Sequence, residues 1–128
     1  MNKKNSLHEA WDIQQAASTL GFDWPDISGA LAKVHEETAE IEEALAKGNV
    51  VHAQEELGDL LFALVNVSRF LELHPNKALR SATEKFTDRF TKVQSIIEDQ
   101  GKTMTQCSLA ELDAVWDRVK AGNMYGKK

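Results

Sequence analysis

The chain has 128 residues, of which 42% are hydrophobic and 27% are charged, and its formal net charge is −5. These values are ordinary for a globular protein and predict one domain spanning residues 1–128. The acidic balance argues against stable nucleic-acid binding, because surfaces that follow a phosphate backbone usually carry excess Lys and Arg. Neither a membrane-spanning apolar run nor a secretory signal is recognisable, so we expect a cytoplasmic protein.

The first helix is predicted to begin at a capping box formed by Ser6 and Glu9 and to end near Gly21. The next stretch, Gly21–Asp26, reads Gly-Phe-Asp-Trp-Pro-Asp and interrupts the helical pattern. Two large aromatic residues in a short link with a proline are typical of a loop packed on the edge of a core. A platform for a ligand is the alternative, and the sequence leaves both open.

Four further helices follow from apolar residues that recur every three or four positions. They are predicted over Ile27 to about Lys47, Val50 to about Leu73, Lys77 to about Gln100, and a short segment that begins at the capping box Ser108–Glu111. His74 or Asn76 can cap the helix that starts near Lys77. The tail, Gly122–Lys128, is expected to be frayed. The absence of alternating strand patterns predicts an all-α fold, an antiparallel bundle of about four to five helices.

Two pairs of acidic residues are the most informative feature of these helices. Glu37 and Glu40 lie on the second predicted helix, and Glu56 and Asp59 lie on the third, each pair spaced i, i+3 at the edge of an apolar stripe. If the two helices pack side by side, the four carboxylates converge, and their mutual repulsion then requires cations. A salt-bridged helix surface is the alternative. We favour a metal site because Asn66, not a basic residue, follows the second pair along the same edge.

Oxygen ligands suit magnesium, manganese or calcium. A di-iron bundle is disfavoured because no histidine lies three residues after a glutamate, and a zinc site lacks its usual Cys and His ligands. Magnesium held by a few carboxylates commonly binds phosphate oxygens as well. Lys85, Arg89 and Lys120 are cations available for a phosphate chain, although each is also typical of a solvated helix surface.

These residues resemble the MazG-type nucleoside triphosphate pyrophosphohydrolases, whose signature is Glu-Glu-x-x-Glu followed one helix later by Glu-x-x-Asp. The corresponding stretches here are Glu36–Glu40 and Glu56–Asp59. Flanking segments also resemble the family: Gly-Phe-Asp-Trp-Pro from Gly21, Lys-Val-His-Glu-Glu from Lys33, Glu-Leu-Gly-Asp-Leu-Leu-Phe from Glu56, Glu-Lys-Phe from Glu84 and Val-Trp-Asp-Arg-Val-Lys from Val115. Larger members carry two such domains in tandem, and this chain resembles the C-terminal one.

The resemblance implies an all-α enzyme that uses Mg²⁺, with Mn²⁺ as the alternative, to hydrolyse a nucleoside triphosphate to its monophosphate and pyrophosphate. It implies that Glu37, Glu40, Glu56 and Asp59 bind the metal and form the catalytic centre, with Glu36 a weaker candidate. It further implies that Lys85 and Arg89 contact the triphosphate and that Asn66, Trp116 and Lys120 lie near the nucleotide. Trp116 is either a stacking partner for a base or a core residue. Family members are homodimers or dimers of dimers, which agrees with the surplus of apolar positions on the long helices.

The favoured hypothesis is therefore removal of excess or non-standard nucleoside triphosphates. A narrower pyrimidine nucleotide pyrophosphatase is one alternative. The other is a non-catalytic helical module whose acidic residues recognise a basic partner.

Overall fold

The computed structural model describes residues 5–122, and within this range it contains five α-helices and no strand. The helices are α1 (Ser6–Thr19), α2 (Ile27–Ala46), α3 (Val50–Phe70), α4 (Pro75–Asp99) and α5 (Leu109–Lys120), with a 3₁₀ turn at Met104–Gln106 before α5. The all-α prediction is confirmed. None of the helices among the described residues combines the length and apolarity needed to cross a bilayer. The predicted frayed tail lies outside the described residues beyond Gly122.

The chain divides into two compact units, and the boundary between Leu79 and Arg80 falls within α4. In the first unit, α2 and α3 are joined by only three residues and make the most extensive helix–helix contact, while α1 packs on α3. Three small residues of these helices are buried, namely Ala30 and Ala44 on α2 and Ala63 on α3. Because alanine side chains are short, they let neighbouring helices approach closely, and polar side chains at the edge of the contact are thereby brought near one another.

The second unit has a core of four branched residues from α4 and α5, namely Val93, Ile97, Val115 and Val119. Apolar residues recur every three or four positions along α4 from Leu79 through Phe86 to Ile97, which predicts a buried stripe over this whole length, but Leu79 and Phe86 are each 56% exposed. The prediction that Leu79 and Phe86 are buried in a core is therefore wrong for the single chain. The stripe on α4 is longer than the part that α5 covers.

The helix caps differ from the predictions at two points. Asn5, not Ser6, caps α1, because its Oδ1 accepts hydrogen bonds from the backbone N–H groups of Leu7 and His8 at 2.8 and 3.4 Å. Ser6 is the first helical residue, so the predicted capping box at this site is wrong. Helix α3 ends at Phe70, three residues before the predicted Leu73, and Glu72 then adopts a positive φ of 59°.

The other predicted caps are present, although α4 begins at Pro75, two residues before the predicted Lys77. His74 caps α4, since its Nδ1 accepts from the backbone N–H of Asn76 at 3.1 Å, and Pro75 occupies the first helical position, where its missing N–H is not needed. The capping box of Ser108 and Glu111 is present at the start of α5.

Candidate active site

The contact between α2 and α3 brings together the four acids predicted from the sequence. Carboxylate oxygens of Glu37, Glu56 and Asp59 all lie within 4.8 Å of one another, and a second group of Glu36, Glu37 and Glu40 meets the same limit. Glu37 belongs to both groups. Glu37 and Glu56 are buried, with only 4% and 7% of their surfaces exposed. The i, i+3 spacing therefore does place both pairs on the facing sides of adjacent helices.

The electrostatics of this acidic cluster are unequal between its members. Lys33 Nζ lies 3.0 Å from Glu37 Oε2 and 3.1 Å from Glu36 Oε2. This ammonium group lowers the pKa of Glu37, and the two carboxylates in turn raise the pKa of Lys33. The neighbouring carboxyl groups of Glu37 and Glu40 raise the pKa of Glu56 to about 8. In the absence of a metal, protonation of Glu56 therefore reduces the repulsion between the carboxylates of the cluster.

Two oxygens in the cluster have unmet hydrogen-bonding capacity. Glu37 Oε1 and Glu56 Oε1 are buried and have no hydrogen-bond partner among residues 5–122, although Glu56 Oε2 lies 3.2 Å from His52 Nε2. Buried polar atoms in proteins are almost always paired, and buried carboxylates are paired with cations or coordinate metals. A cluster of oxygen donors with two such orphans fits a hard divalent cation such as Mg²⁺ or Mn²⁺.

A cavity of about 680 Å³ opens beside the acidic cluster, entirely within the first unit. Its volume lies in the range of small-molecule sites. It is lined by residues of α1, the Gly21–Asp26 link, α2 and α3: Ile13, Gln14, Ala17, Gly21, Phe22, Asp23, Trp24, Lys33, Glu37, Asp59, Phe62, Ala63, Asn66 and Arg69. Of the residues predicted to bind substrate, Asn66 is found here. The cavity thus joins the acids to an apolar and aromatic wall.

The Gly21–Asp26 link forms part of this wall and is fixed in place by Arg69, which the sequence analysis did not identify. Arg69 Nη2 donates to Asp23 Oδ1 and to Asn66 Oδ1, both at 2.7 Å. The guanidinium group beside Asp23 lowers the pKa of that carboxyl. Arg69 lies three residues after Asn66 and continues the polar row of α3, which is the signal that could have revealed it.

Trp24 packs against α2, as expected for a loop on the edge of a core, and it also lines the cavity, while a role as a platform for a ligand stays a prediction. Its ring packs on Gly29 of α2, so closely that a Cβ at residue 29 would come within 2.6 Å of Trp24 Cε3. The side chain nevertheless lines the cavity, and the residue is 41% exposed. Phe22, two residues earlier, lines the same cavity and is 82% exposed. The link is therefore packed on the helix pair and also presents aromatic surface to the cavity.

Gln14 and Lys33 are two further site residues that the sequence analysis missed. Gln14 is a buried glutamine on α1, and its Nε2 donates to the carbonyl of Phe62 at 2.9 Å. Its position within the apolar stripe, three residues after Trp11 and three before Ala17, was the available signal. For Lys33, the signal was its i, i+4 spacing from Glu37.

The remaining predicted substrate residues belong to the second unit. Lys85 and Lys120 are exposed, and Arg89 is half-buried. Trp116 is half-buried and packs against the core of that unit, with its ring 5.3 Å from the ring of Phe86. Their contacts with a nucleotide stay predictions.

The described residues thus form an all-α protein in which two packed helices hold a carboxylate cluster beside a ligand-sized cavity. Residues 26–94 match the MazG nucleotide pyrophosphohydrolase domain. The chain belongs to the MazG family.

Two relatives share similarity over most of the chain. A nucleoside triphosphate pyrophosphohydrolase/pyrophosphatase MazG of Thermotoga maritima is 42% identical over 118 residues, which cover 92% of this chain and 45% of the relative. A nucleoside triphosphate pyrophosphohydrolase of Escherichia coli is 38% identical over 117 residues, 90% of this chain and 44% of the relative. The chain therefore spans a little under half the length of these two relatives.

Proposed function

We propose that this protein hydrolyses nucleoside triphosphates, ribo or deoxyribo, to the nucleoside monophosphate and pyrophosphate, and so removes excess or non-standard nucleotides. The observation that carries the proposal is the acidic cluster itself. Four carboxylates form the cluster, two of them buried with unpartnered oxygens, and two of the four, Glu37 and Asp59, line a cavity large enough for a nucleotide in a chain of the MazG family. The activity in the names of the two relatives supports the same reaction.

Glu37, Glu40, Glu56 and Asp59 are the proposed ligands of Mg²⁺, with Mn²⁺ as the alternative metal. When bound, a divalent cation neutralises phosphate charge and lowers the pKa of a bound water. Glu36 stays a weaker candidate, because it is exposed and its carboxylate is paired with Lys33. The buried oxygens of Glu37 and Glu56 that lack a hydrogen-bond partner among the described residues are the ligand atoms that a cation would stabilise most.

The polypeptide supplies binding and orientation in this proposal. The acids fix the phosphate end of the substrate, and Asn66 and the aromatic link line the rest of the cavity. Lys85 and Arg89 are proposed to contact the triphosphate, and Trp116 and Lys120 to lie near the nucleotide, on the strength of the family resemblance. Hydrolysis adds one water across the anhydride between the α and β phosphates, so pyrophosphate and the monophosphate form in equal amounts.

The decisive experiment is incubation of the purified protein with a panel of purine and pyrimidine triphosphates and Mg²⁺. We expect pyrophosphate and the nucleoside monophosphate in a ratio of one to one. Release of orthophosphate alone would refute the proposed bond. A panel in which only pyrimidine nucleotides react would establish the narrower pyrophosphatase, and no reaction with any triphosphate would leave the non-catalytic helical module as the better description.

Two variants test the metal assignment. Glu37→Ala and Asp59→Ala should abolish pyrophosphate release while circular dichroism shows that the helices are retained. Glu42→Ala is the matched control, because Glu42 lies on the same helix as Glu37 but is exposed. Activity of the first two variants within a few-fold of the control would remove the metal assignment.

Domain organisation, location and oligomeric state are part of the same proposal. The whole chain is proposed to act as one domain in the cytoplasm, where nucleotide pools are held, without binding nucleic acid. Leu57, Leu61 and Leu64 form an exposed apolar row on α3, each between 44% and 50% exposed, which supports assembly as a homodimer or dimer of dimers. Light scattering that showed a monomer at micromolar concentration would contradict this assembly.

A further inference from the structure

Gln14 is fixed in orientation by one half of its amide group. The side chain Nε2 donates to the backbone carbonyl of Phe62 at 2.9 Å, and the residue is only 5% exposed. A carbonyl oxygen can only accept a hydrogen bond, so the amide nitrogen must face Phe62. The amide oxygen, Oε1, is thereby held in a known position and cannot exchange places with the nitrogen without losing this bond.

The other half of the amide has no partner. Gln14 Oε1 is buried and accepts no hydrogen bond in the part of the chain that the structure describes, yet Gln14 lines the cavity beside the acidic cluster. An unpaired buried acceptor is unfavourable, and each such atom in a native protein calls for an explanation. A ligand that enters the cavity with a hydrogen-bond donor at this point would satisfy it.

The hydrogen bond of Gln14 to α3 relates this acceptor to the acids. Its hydrogen bond partner, Phe62, lies three residues after Asp59, which corresponds to about 4.5 Å along the helix axis. The cavity wall near Gln14 is apolar and aromatic, with contributions from Ile13, Ala17 and Phe62. Such a wall suits a flat heterocycle better than a polyol. If the phosphates bind at the acids, the nucleobase is the part of the substrate that suits this wall.

We infer that Gln14 Oε1 is a specificity-determining group that accepts a hydrogen bond from an N–H of the substrate nucleobase. This inference rests on the proposed function, because it takes the cavity as the nucleotide site. The favoured ligands are nucleotides whose base presents an N–H donor on its hydrogen-bonding edge. Bases that lack this donor leave Oε1 unpaired in a site from which water is displaced, and they are selected against for that reason.

The test measures binding of non-hydrolysable α,β-methylene triphosphates by calorimetry with Mg²⁺ present. Two pairs of bases differ only by the exocyclic amino group: adenine against purine, and cytosine against pyrimidin-2-one. Two further pairs, uracil against 3-methyluracil and guanine against 1-methylguanine, remove a ring N–H. We expect at least one pair to show binding weakened by about 5- to 100-fold when the donor is lost. Equal affinities within all four pairs would overturn the inference without any variant being made.

Gln14→Met supplies the second arm, since methionine keeps the length and approximate volume of glutamine but offers neither amide group. The ratio of affinities within the responding pair should fall to about one in this variant. A loss of affinity caused only by the bulk of an added methyl group would persist in the variant, so the comparison separates the two causes. Gln54→Met is the matched control, because Gln54 is exposed on α3, and it should keep the wild-type ratio. A ratio that survives in Gln14→Met would overturn the inference, as would discrimination that follows the 2′- or 3′-hydroxyl of the sugar and not the base.

Pyrophosphate release by the wild-type protein separates this inference from the proposed function. Release of pyrophosphate together with no donor effect would leave the proposed function standing and the role of Gln14 refuted. Donor-dependent binding without pyrophosphate release would support the role of Gln14 and refute the proposed reaction. Failure of every analogue to bind would refute the role of Gln14, and if pyrophosphate release were absent as well, the proposed function would also be refuted.

Discussion

The packing of Trp24 on Gly29 allows the link that borders the cavity to be perturbed by one methyl group. A Cβ at residue 29 would lie 2.6 Å from Trp24 Cε3 and 2.9 Å from Cδ2. Ordinary contacts between carbon atoms begin at about 3.4 Å. Gly29→Ala therefore requires the indole to move by about 0.8 Å, or α2 to shift by a similar amount. Overpacking of this kind costs about 1–3 kcal/mol.

Gly58 provides the matched control, because it is also a helical glycine in the first unit, but a Cβ there meets no atom of the described residues within 4 Å. Gly58→Ala should raise the free energy of unfolding by about 0.5–1 kcal/mol through helix propensity alone. Urea denaturation should therefore place Gly29→Ala below Gly58→Ala by about 1–3 kcal/mol. Because the displaced indole lines the cavity, we also expect Gly29→Ala to weaken binding of a non-hydrolysable nucleotide.

A double-mutant cycle tests the assigned cause. In a Trp24→Ala background the ring is gone, so Gly29→Ala should become stabilising by about 0.5–1 kcal/mol, the value expected for Gly58→Ala. If Gly29→Ala has the same effect with and without the indole, the packing described for the link is wrong. Equal effects of Gly29→Ala and Gly58→Ala in the parent protein would refute it as well.

Two further predictions concern protons. Because the neighbouring carboxyl groups of Glu37 and Glu40 raise the pKa of Glu56 to about 8, divalent metal binding should release a proton at pH 7 and release less at pH 9. Calorimetry in buffers of different ionisation enthalpy measures this release, and a binding heat independent of buffer at pH 7 would contradict it. Arg69 lowers the pKa of Asp23, so this pair stabilises the fold at neutral pH and the contribution is lost as the pH falls through the folded-state pKa. The difference in stability between the parent and Asp23→Asn should therefore be constant from about pH 5 to 7 and shrink below about pH 4, and a difference independent of pH would count against the pairing.

The acidic cluster illustrates a conflict between stability and function within one helix pair. Without a metal, the cluster relies on Lys33 and on a proton at Glu56 to limit repulsion between its carboxylates. Substitutions that remove one acid relieve that repulsion, yet they also remove a proposed metal ligand. This arrangement is typical of sites in which functional groups are kept at some expense to the stability of the fold.

The sequence by itself determined the features that depend on neighbours within one helix. Helix number, the boundaries of α2, the capping box at Ser108 and the placement of each acidic pair on one face all follow from spacings of three and four residues. The convergence of Glu37 with Glu56 needed one further step, a short connection between α2 and α3, and the chain makes that visible too.

Only the tertiary structure decided which side chains meet across distant segments. The hydrogen bond from Gln14 joins residues 48 positions apart, and the bond from Arg69 to Asp23 joins residues 46 positions apart. Periodicity fixes the face on which such a residue lies, but its partner depends on how each helix is rotated and shifted along its neighbour, which side-chain packing over the whole interface sets. For the same reason, the exposure of Leu79 and Phe86 could not be read from an apolar stripe, because the stripe does not state how far a neighbouring helix extends along it.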